Sequence, residues 1–125
     1  MRKTYFAALV LGGSFAAHAA GAACTYPVGP GKFPDGNIAT RDEMSAAKKQ
    51  VVKYNTDMDA YLGCIKAEFD AKVGAEGSVT PEQKADLQRV FGQKETAALK
   101  EVTDLTESFN VQLRAWKAKN ATEKK

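Results

Sequence analysis

One stripe of apolar side chains constrains the fold of this chain more than any other feature of the sequence. Between residues 44 and 65 apolar or small residues recur at alternating steps of three and four. They are Met44, Ala47, Val51, Tyr54, Met58, Tyr61 and Ile65. A spacing of about 3.5 residues places all of them on one face of an α-helix. Phe69 and Val73 continue the stripe, and no proline interrupts it, so we predict a helix over about residues 41–73.

The sequence also marks the ends of this helix. Thr40 followed by Glu43 forms a capping box, in which each side chain accepts a hydrogen bond from the other residue's backbone N–H. Asp42 and Glu43 suit the positive end of the helix dipole. Gly74 is a natural residue just past the helix end, where a left-handed conformation is common.

A second helix begins after a short connection. Thr80 is the expected N-cap, Pro81 occupies the first helical position, and Gln83 closes the box. The apolar stripe that follows has one charged member, Lys94, and consists of Leu87, Phe91, Lys94, Ala98, Val102, Leu105, Phe109, Leu113 and Trp116. We predict a helix over about residues 81–119 and a frayed tail over 121–125. The two helices form an all-α, coiled-coil-like antiparallel hairpin over residues 40–120.

Residues 23–39 have a different character. They contain three of the chain's four prolines and several glycines, so they are predicted to be extended chain with turns. The run from Pro34 to Asn37 is a turn signal: proline presets φ, aspartate bonds its own backbone, and glycine or asparagine adopts positive φ.

The first 22 residues are predicted to be a secretory signal peptide. Arg2 and Lys3 precede an apolar stretch and then a run of small residues with two possible cleavage sites, after Ala19 or after Ala22. An uncleaved anchor over residues 4–23 is the alternative, because that stretch is about long enough to span a bilayer. Cleavage would leave no membrane span and would lower the net charge from +3 to +1. A near-neutral chain is a poor candidate for nucleic-acid binding.

Export determines how the two cysteines are interpreted. In an oxidising compartment, Cys24 and Cys64 are most simply a disulfide; a redox pair is the alternative, although the spacing is not C-x-x-C. Cys64 lies roughly 35 Å along the first helix, and the segment before the helix can span about 50 Å. The segment can therefore run back along the hairpin as a third, non-helical layer, packing through Tyr26, Phe33, Pro34 and Ile38.

The sequence favours binding over catalysis. The only histidine is His18, within the predicted signal, which excludes histidine-dependent catalytic and metal sites from the mature chain. The acidic residues of the helices, including Glu101, Asp104 and Glu107, are interpreted as a solvated face rather than an acid–base pair. We therefore predict no catalytic residues, no metal site, no cofactor and no enzymatic activity.

The aromatic residues of the two stripes have three interpretations. They are plain core, the lining of a small-molecule groove, or, where the hairpin is not fully covered, an exposed apolar seam that binds a protein partner or a second copy of the chain. Trp116 is the first choice as a contact residue, because it lies near a chain end. Phe109, Tyr61 and Tyr54 are the further candidates.

Two families share short patterns with this sequence. The first pattern comprises Cys24-x-x-Pro27, Pro34-Asp35-Gly36, Ala39-Thr40, Glu43-Met44 and Tyr61-Leu62-x-Cys64. It resembles small uncharacterised exported proteins of Gram-negative bacteria, which implies a periplasmic, disulfide-linked helical protein. The run from Val79 to Gln83 is similar to the L-T-x-x-Q motif of periplasmic chaperones of the Spy and CpxP type, which implies an envelope holdase as the alternative function.

Overall fold

Two long helices account for most of the fold. The computed structural model of the 125-residue chain describes residues 23–74 and 77–123. Helix α1 spans Arg41–Gly74 and helix α2 spans Pro81–Thr122, and the two pack against each other as a hairpin. The all-α hairpin predicted from the apolar stripes is confirmed. Within the described residues, neither helix is both long and apolar enough to cross a membrane.

Both predicted capping boxes are present. At α1, the backbone N–H of Thr40 donates to Glu43 Oε2 at 2.7 Å, and the Glu43 N–H donates to Thr40 Oγ1 at 3.2 Å. Thr80 and Gln83 form the equivalent pair at α2, with Pro81 in the first turn. These bonds satisfy backbone donors that lack a partner within the helix, which fixes where each helix begins.

The core of the hairpin consists of two buried clusters, one after the other along the helices. The open-end cluster lies near the start of α1 and contains Phe33, Ala39, Met44, Ala47, Val51 and Phe109. The middle cluster contains Tyr54, Met58, Tyr61, Ile65 and Ala98. Every member of the α1 stripe from Met44 to Ile65 is buried, as the spacing predicts.

The segment before α1 forms the predicted third layer. Cys24 is joined to Cys64 by a disulfide, so the segment runs back along the hairpin to the far side of the middle cluster. The Phe33 ring meets the Phe109 ring edge-on, and the Tyr26 ring meets the Tyr61 ring in the same way. Pro34 is half-buried. The expectation for Ile38 is wrong: its side chain is 77% exposed, and its neighbour Ala39 fills the core position instead.

The turn from Asp35 to Ala39 joins this layer to α1. The Asp35 carbonyl accepts from the N–H groups of Ile38 and Ala39, and the Asp35 side chain accepts from Asn37. Among the described residues only Gly77 has positive φ, so Gly36 and Asn37 do not have the left-handed conformation expected of them. Gly36 is needed for space instead: an added Cβ would lie 2.0 Å from the backbone oxygen of Gln112.

The ends of both helices differ slightly from the prediction. Gly74, expected just beyond α1, is its last residue, and the positive φ of the connection lies at Gly77. Helix α2 continues to Thr122, three residues beyond the prediction, and the Glu123 N–H still donates to the Lys119 carbonyl. The predicted signal peptide, residues 1–22, lies outside the described residues.

The buried core ends at the level where the covering segment ends. Its last members are Ile65 on α1 and Ala98 on α2, while the segment reaches Cys64 through Cys24. Between residues 66 and 74, and between 77 and 97, no described residue is buried. Two helices alone enclose little apolar surface, so a third layer is needed to complete a core.

The fold predicts a large effect of the disulfide on stability. Cys64→Ser should lower the free energy of unfolding by about 4 kcal/mol, because the bond closes a loop of about 40 residues in the unfolded chain. Thermal unfolding followed by circular dichroism measures the change. Cys24→Ser and the double variant should melt together with Cys64→Ser. A Cys64→Ser variant that melts at the parent temperature would contradict the covering role of the segment.

The close approach at Gly36 gives a second prediction. Gly36→Ala should destabilise the protein by roughly 1–3 kcal/mol, because the added methyl group forces the turn away from α2. Gly31→Ala is the matched control, since an added Cβ there meets nothing within 4 Å. Urea unfolding of the two variants should separate them clearly. Equal stabilities would show that the turn does not depend on contact with α2.

Candidate partner-binding site

Three of the four residues predicted as partner contacts lie in the core. The relative exposure is 2% for Tyr54, 8% for Tyr61 and 6% for Phe109. Tyr54 and Tyr61 belong to the middle cluster, and Phe109 belongs to the open-end cluster. In this structure their side chains fill the space between the helices and the segment. The core interpretation of the aromatic stripe therefore describes these three residues.

Trp116 is the fourth candidate and is only half-buried. Part of its side chain packs against the open-end cluster. The rest lines a groove of about 590 Å³ between the start of α1 and the end of α2, together with Ile38, Arg41 and Lys119. Its backbone nitrogen lies next to Gly36, so this position also supports the turn.

A carboxylate shared by two phenols holds the segment to both helices. The Tyr26 hydroxyl donates to Glu101 Oε2 at 2.6 Å, and the Tyr54 hydroxyl donates to Glu101 Oε1 at 2.7 Å. Tyr26 comes from the segment, Tyr54 from α1 and Glu101 from α2. The cluster therefore ties all three parts of the fold together at one point.

This arrangement changes the acidity of all three groups. Burial is the main cause that raises the pKa of Tyr26 to about 12, and the hydrogen bond to Glu101 adds to it. Burial and the same carboxylate raise the pKa of Tyr54 well above its ordinary value. The hydrogen bonds from Tyr26 and Tyr54 lower the pKa of Glu101. At neutral pH the cluster is thus an ionised carboxylate between two protonated phenols.

The other acidic side chains near this cluster have local partners. Asp104 pairs with Lys100, and Glu107 pairs with Arg114. All four side chains are more than half exposed. This is the solvated, charge-paired helix face that the sequence indicates.

Cys24, Cys64 and Glu68 form a separate group in which one potential ligand atom from each residue lies within 4.8 Å of the others. The two sulfurs are joined in the disulfide, so they offer no thiolate to a metal. Glu68 Oε1 accepts from the Cys24 N–H at 3.4 Å. The group fixes the end of the segment against α1.

An apolar groove opens between the helices beyond this point. We call it the loop-end groove; its apolar lining includes Phe69, Leu87, Val90 and Phe91, and Lys72 and Lys94 stand at its edges. The Phe69 and Phe91 rings stack at 5.1 Å between centroids. The apolar lining residues named here are all half-buried. The groove is open to solvent along one side, and its cavity volume is about 40 Å³.

The sequence alone indicated some of these residues and not others. Phe69, Leu87, Phe91 and Lys94 lie in the predicted stripes, but Val90 does not. Val90 stands three residues after Leu87, and this second apolar position, which widens the stripe at the start of α2, is a signal that could have identified it. The role of Glu101 had no such signal, because it depends on where the segment brings Tyr26.

A comparison of the chain with protein-family models, curated proteins and solved structures finds no match.

The phenol–carboxylate cluster predicts a pH effect on stability. The pKa of Glu101 is lower in the folded protein than in the unfolded chain, where it is about 4.3. The stabilisation from Glu101 is therefore complete above about pH 4.3 and is lost as pH falls through the folded-state pKa. Glu101→Gln should weaken the protein at pH 7, and the gap from the parent should narrow on acidification.

Urea unfolding at several pH values between neutral and acidic measures this gap. Glu107→Gln is the control, because Glu107 is exposed and pairs with Arg114 rather than with a phenol. A gap between the parent and Glu101→Gln that is independent of pH would contradict the assigned hydrogen bonds.

Proposed function

We propose that this chain is an exported periplasmic protein that acts without enzymatic activity, by binding another protein. One observation carries the proposal: the apolar seam between the helices continues past the end of the segment that covers it. Phe69, Leu87 and Phe91 are only partly buried there. Contiguous exposed apolar surface on a soluble protein is typical of interaction sites.

Two further features support export. The Cys24–Cys64 bond is of the kind that persists in oxidising compartments such as the periplasm. Residues 1–22 have the pattern of a secretory signal. The absence of histidine from the predicted mature chain bears on a different point, because it favours a role without enzymatic activity. The resemblance to exported Gram-negative proteins agrees with this assignment.

The stapled fold suits a binding role. The disulfide, the Glu101 cluster and the Gly36 contact hold the covered half of the hairpin in one arrangement. The uncovered end of the hairpin is therefore attached to a rigid structure, which lowers the conformational entropy that must be lost on binding.

The alternative function is that of a holdase that shields unfolded envelope proteins, as the resemblance to Spy and CpxP implies. The same open seam favours it, because an apolar surface binds many unfolded chains. The two functions differ in selectivity: an interaction module binds one partner, whereas a holdase binds many.

Site-specific crosslinking in the periplasm of a Gram-negative host tests the proposal. A photoreactive phenylalanine analogue replaces Leu87, which is half-buried at the uncovered end. The same analogue at Val111, which is 46% exposed on the covered half of α2, is the control. We expect one dominant crosslinked product from position 87 and none from position 111.

The pattern of products separates the two functions. A continuous range of unrelated envelope proteins from position 87 would favour the holdase, and suppressed aggregation of a reduced client protein would confirm it. No product from either position would contradict a binding role at the uncovered seam. Fractionation of the same cells, with mass spectrometry of the mature N-terminus, tests export and should give a chain starting at Ala20 or Ala23.

A further inference from the structure

We infer that the loop-end groove binds an extended segment of another polypeptide in which an apolar side chain stands next to an acidic residue. The inference deepens the proposed function and rests on it, because it assigns the site and the chemistry of the partner. The chain's own N-terminal segment already covers the first part of the same seam.

The covered seam displays one mode of binding. Residues 24–39 lie across the hairpin without forming a helix or a strand. Aromatic side chains anchor them, with Phe33 against Phe109 and Tyr26 against Tyr61. Polar groups of α2 also bind the backbone and the side chains of the segment. For example, the Gly36 N–H donates to Gln112 Oε1 at 2.9 Å. The hairpin thus already binds an extended, aromatic-bearing chain.

The loop-end groove continues this seam directly. Glu68 lines the groove and also accepts from the backbone N–H of Cys24, the residue at which the segment meets α1. Leu87 and Lys94 stand fourteen and seven residues before Glu101 in the sequence. Multiples of seven fall nearly on one face of an α-helix. They therefore lie on the side of α2 that faces the segment at Glu101.

The edge of the groove sets the charge of the ligand. At Glu101 the helix offers a hydrogen-bond acceptor, and a phenol of the segment donates to it. One heptad earlier the helix offers Lys94, whose ammonium group only donates. Lys72 stands on the α1 side of the same groove, and neither lysine forms an ion pair within residues 23–74 and 77–123. Glu68 is the one acidic residue of the lining, so the groove keeps a net positive charge, and a matching ligand carries a carboxylate beside its apolar group.

The size of the surface argues against a second copy of the chain as the occupant. The uncovered part of α1, from Ile65 to Gly74, is about 14 Å long. Two helices about 10 Å wide give a face of roughly 300 Å² per copy, or roughly 600 Å² in total. Stable protein–protein interfaces bury at least about 1,200 Å². An extended segment of four or five residues covers about the same length of groove, at about 3.3 Å per residue, and suits weak, reversible binding.

The test uses the intact, oxidised mature chain and two labelled peptides. The first is acetyl-Gly-Glu-Phe-Pro-Phe-Glu-Gly-amide, and the second has lysine in place of both glutamates. Fluorescence anisotropy gives the affinity of each peptide, and amide chemical-shift changes in NMR spectra locate the site. We expect the acidic peptide to bind more tightly, with shifts concentrated around Phe69, Val90 and Phe91 and none around Phe33.

A charge reversal at the edge of the groove isolates the assigned contact. Lys94→Glu should weaken binding of the acidic peptide by roughly fivefold and strengthen binding of the basic peptide. Lys117→Glu is the matched control, because Lys117 is also exposed on α2 but lies near the open end of the hairpin. The difference between the peptides should shrink at about 0.5 M salt, where the screening length is about 4 Å.

Several results would overturn the inference. Equal affinity for the two peptides, no binding of either, or chemical shifts around Phe33 or Trp116 would each do so. A dimer that persists on dilution in light scattering, and that Val90→Asp dissociates, would assign the groove to a second copy. If position 87 crosslinks to a partner but the acidic peptide does not bind, the proposed binding function stands and the inferred chemistry of the ligand is wrong.

Discussion

The structure depends on the covering of the helical seam by the segment that precedes α1. Two helices bury each other along a single line, which leaves the sides of that line open to water. The segment closes one side over the open-end and middle clusters, and the Cys24–Cys64 bond holds it there. The Glu101 cluster and the Gly36 contact depend on the path that this bond imposes. Where the covering ends, burial ends as well.

Much of this architecture is readable from local sequence patterns. The α1 stripe identifies every buried residue of that helix from Met44 to Ile65, because a period of about 3.5 residues leaves little choice of face. The capping boxes at Thr40 and Thr80 locate both helix starts, because the bonds involved span only three residues. The disulfide follows from the presence of two cysteines in a chain predicted to be exported.

Other features depend on how distant parts of the chain are aligned against each other, and no local sequence pattern indicates them. The sequence around Gly36 predicts a turn, but the need for glycine there comes from the backbone of Gln112, 76 residues away. Ile38 is apolar and still points to solvent, because the turn places Ala39 over the core. In the sequence Glu101 is one of several acidic residues on α2. Only the fold shows that it accepts hydrogen bonds from Tyr26 and Tyr54. For the candidate site, the sequence left plain core and an open seam as alternatives for the aromatic stripes and favoured Trp116 as the contact residue, whereas the loop-end groove lies at the opposite end of the hairpin.

The position of the disulfide in the chain also bears on how an exported molecule assembles. Cys24 and Cys64 both precede α2, which begins at Pro81. If the chain is exported as proposed and crosses the membrane N-terminus first, both thiols reach the oxidising side before α2 has crossed. The bond can close on the segment and α1 alone, and the remaining helix then meets a surface whose register is already set by a covalent link.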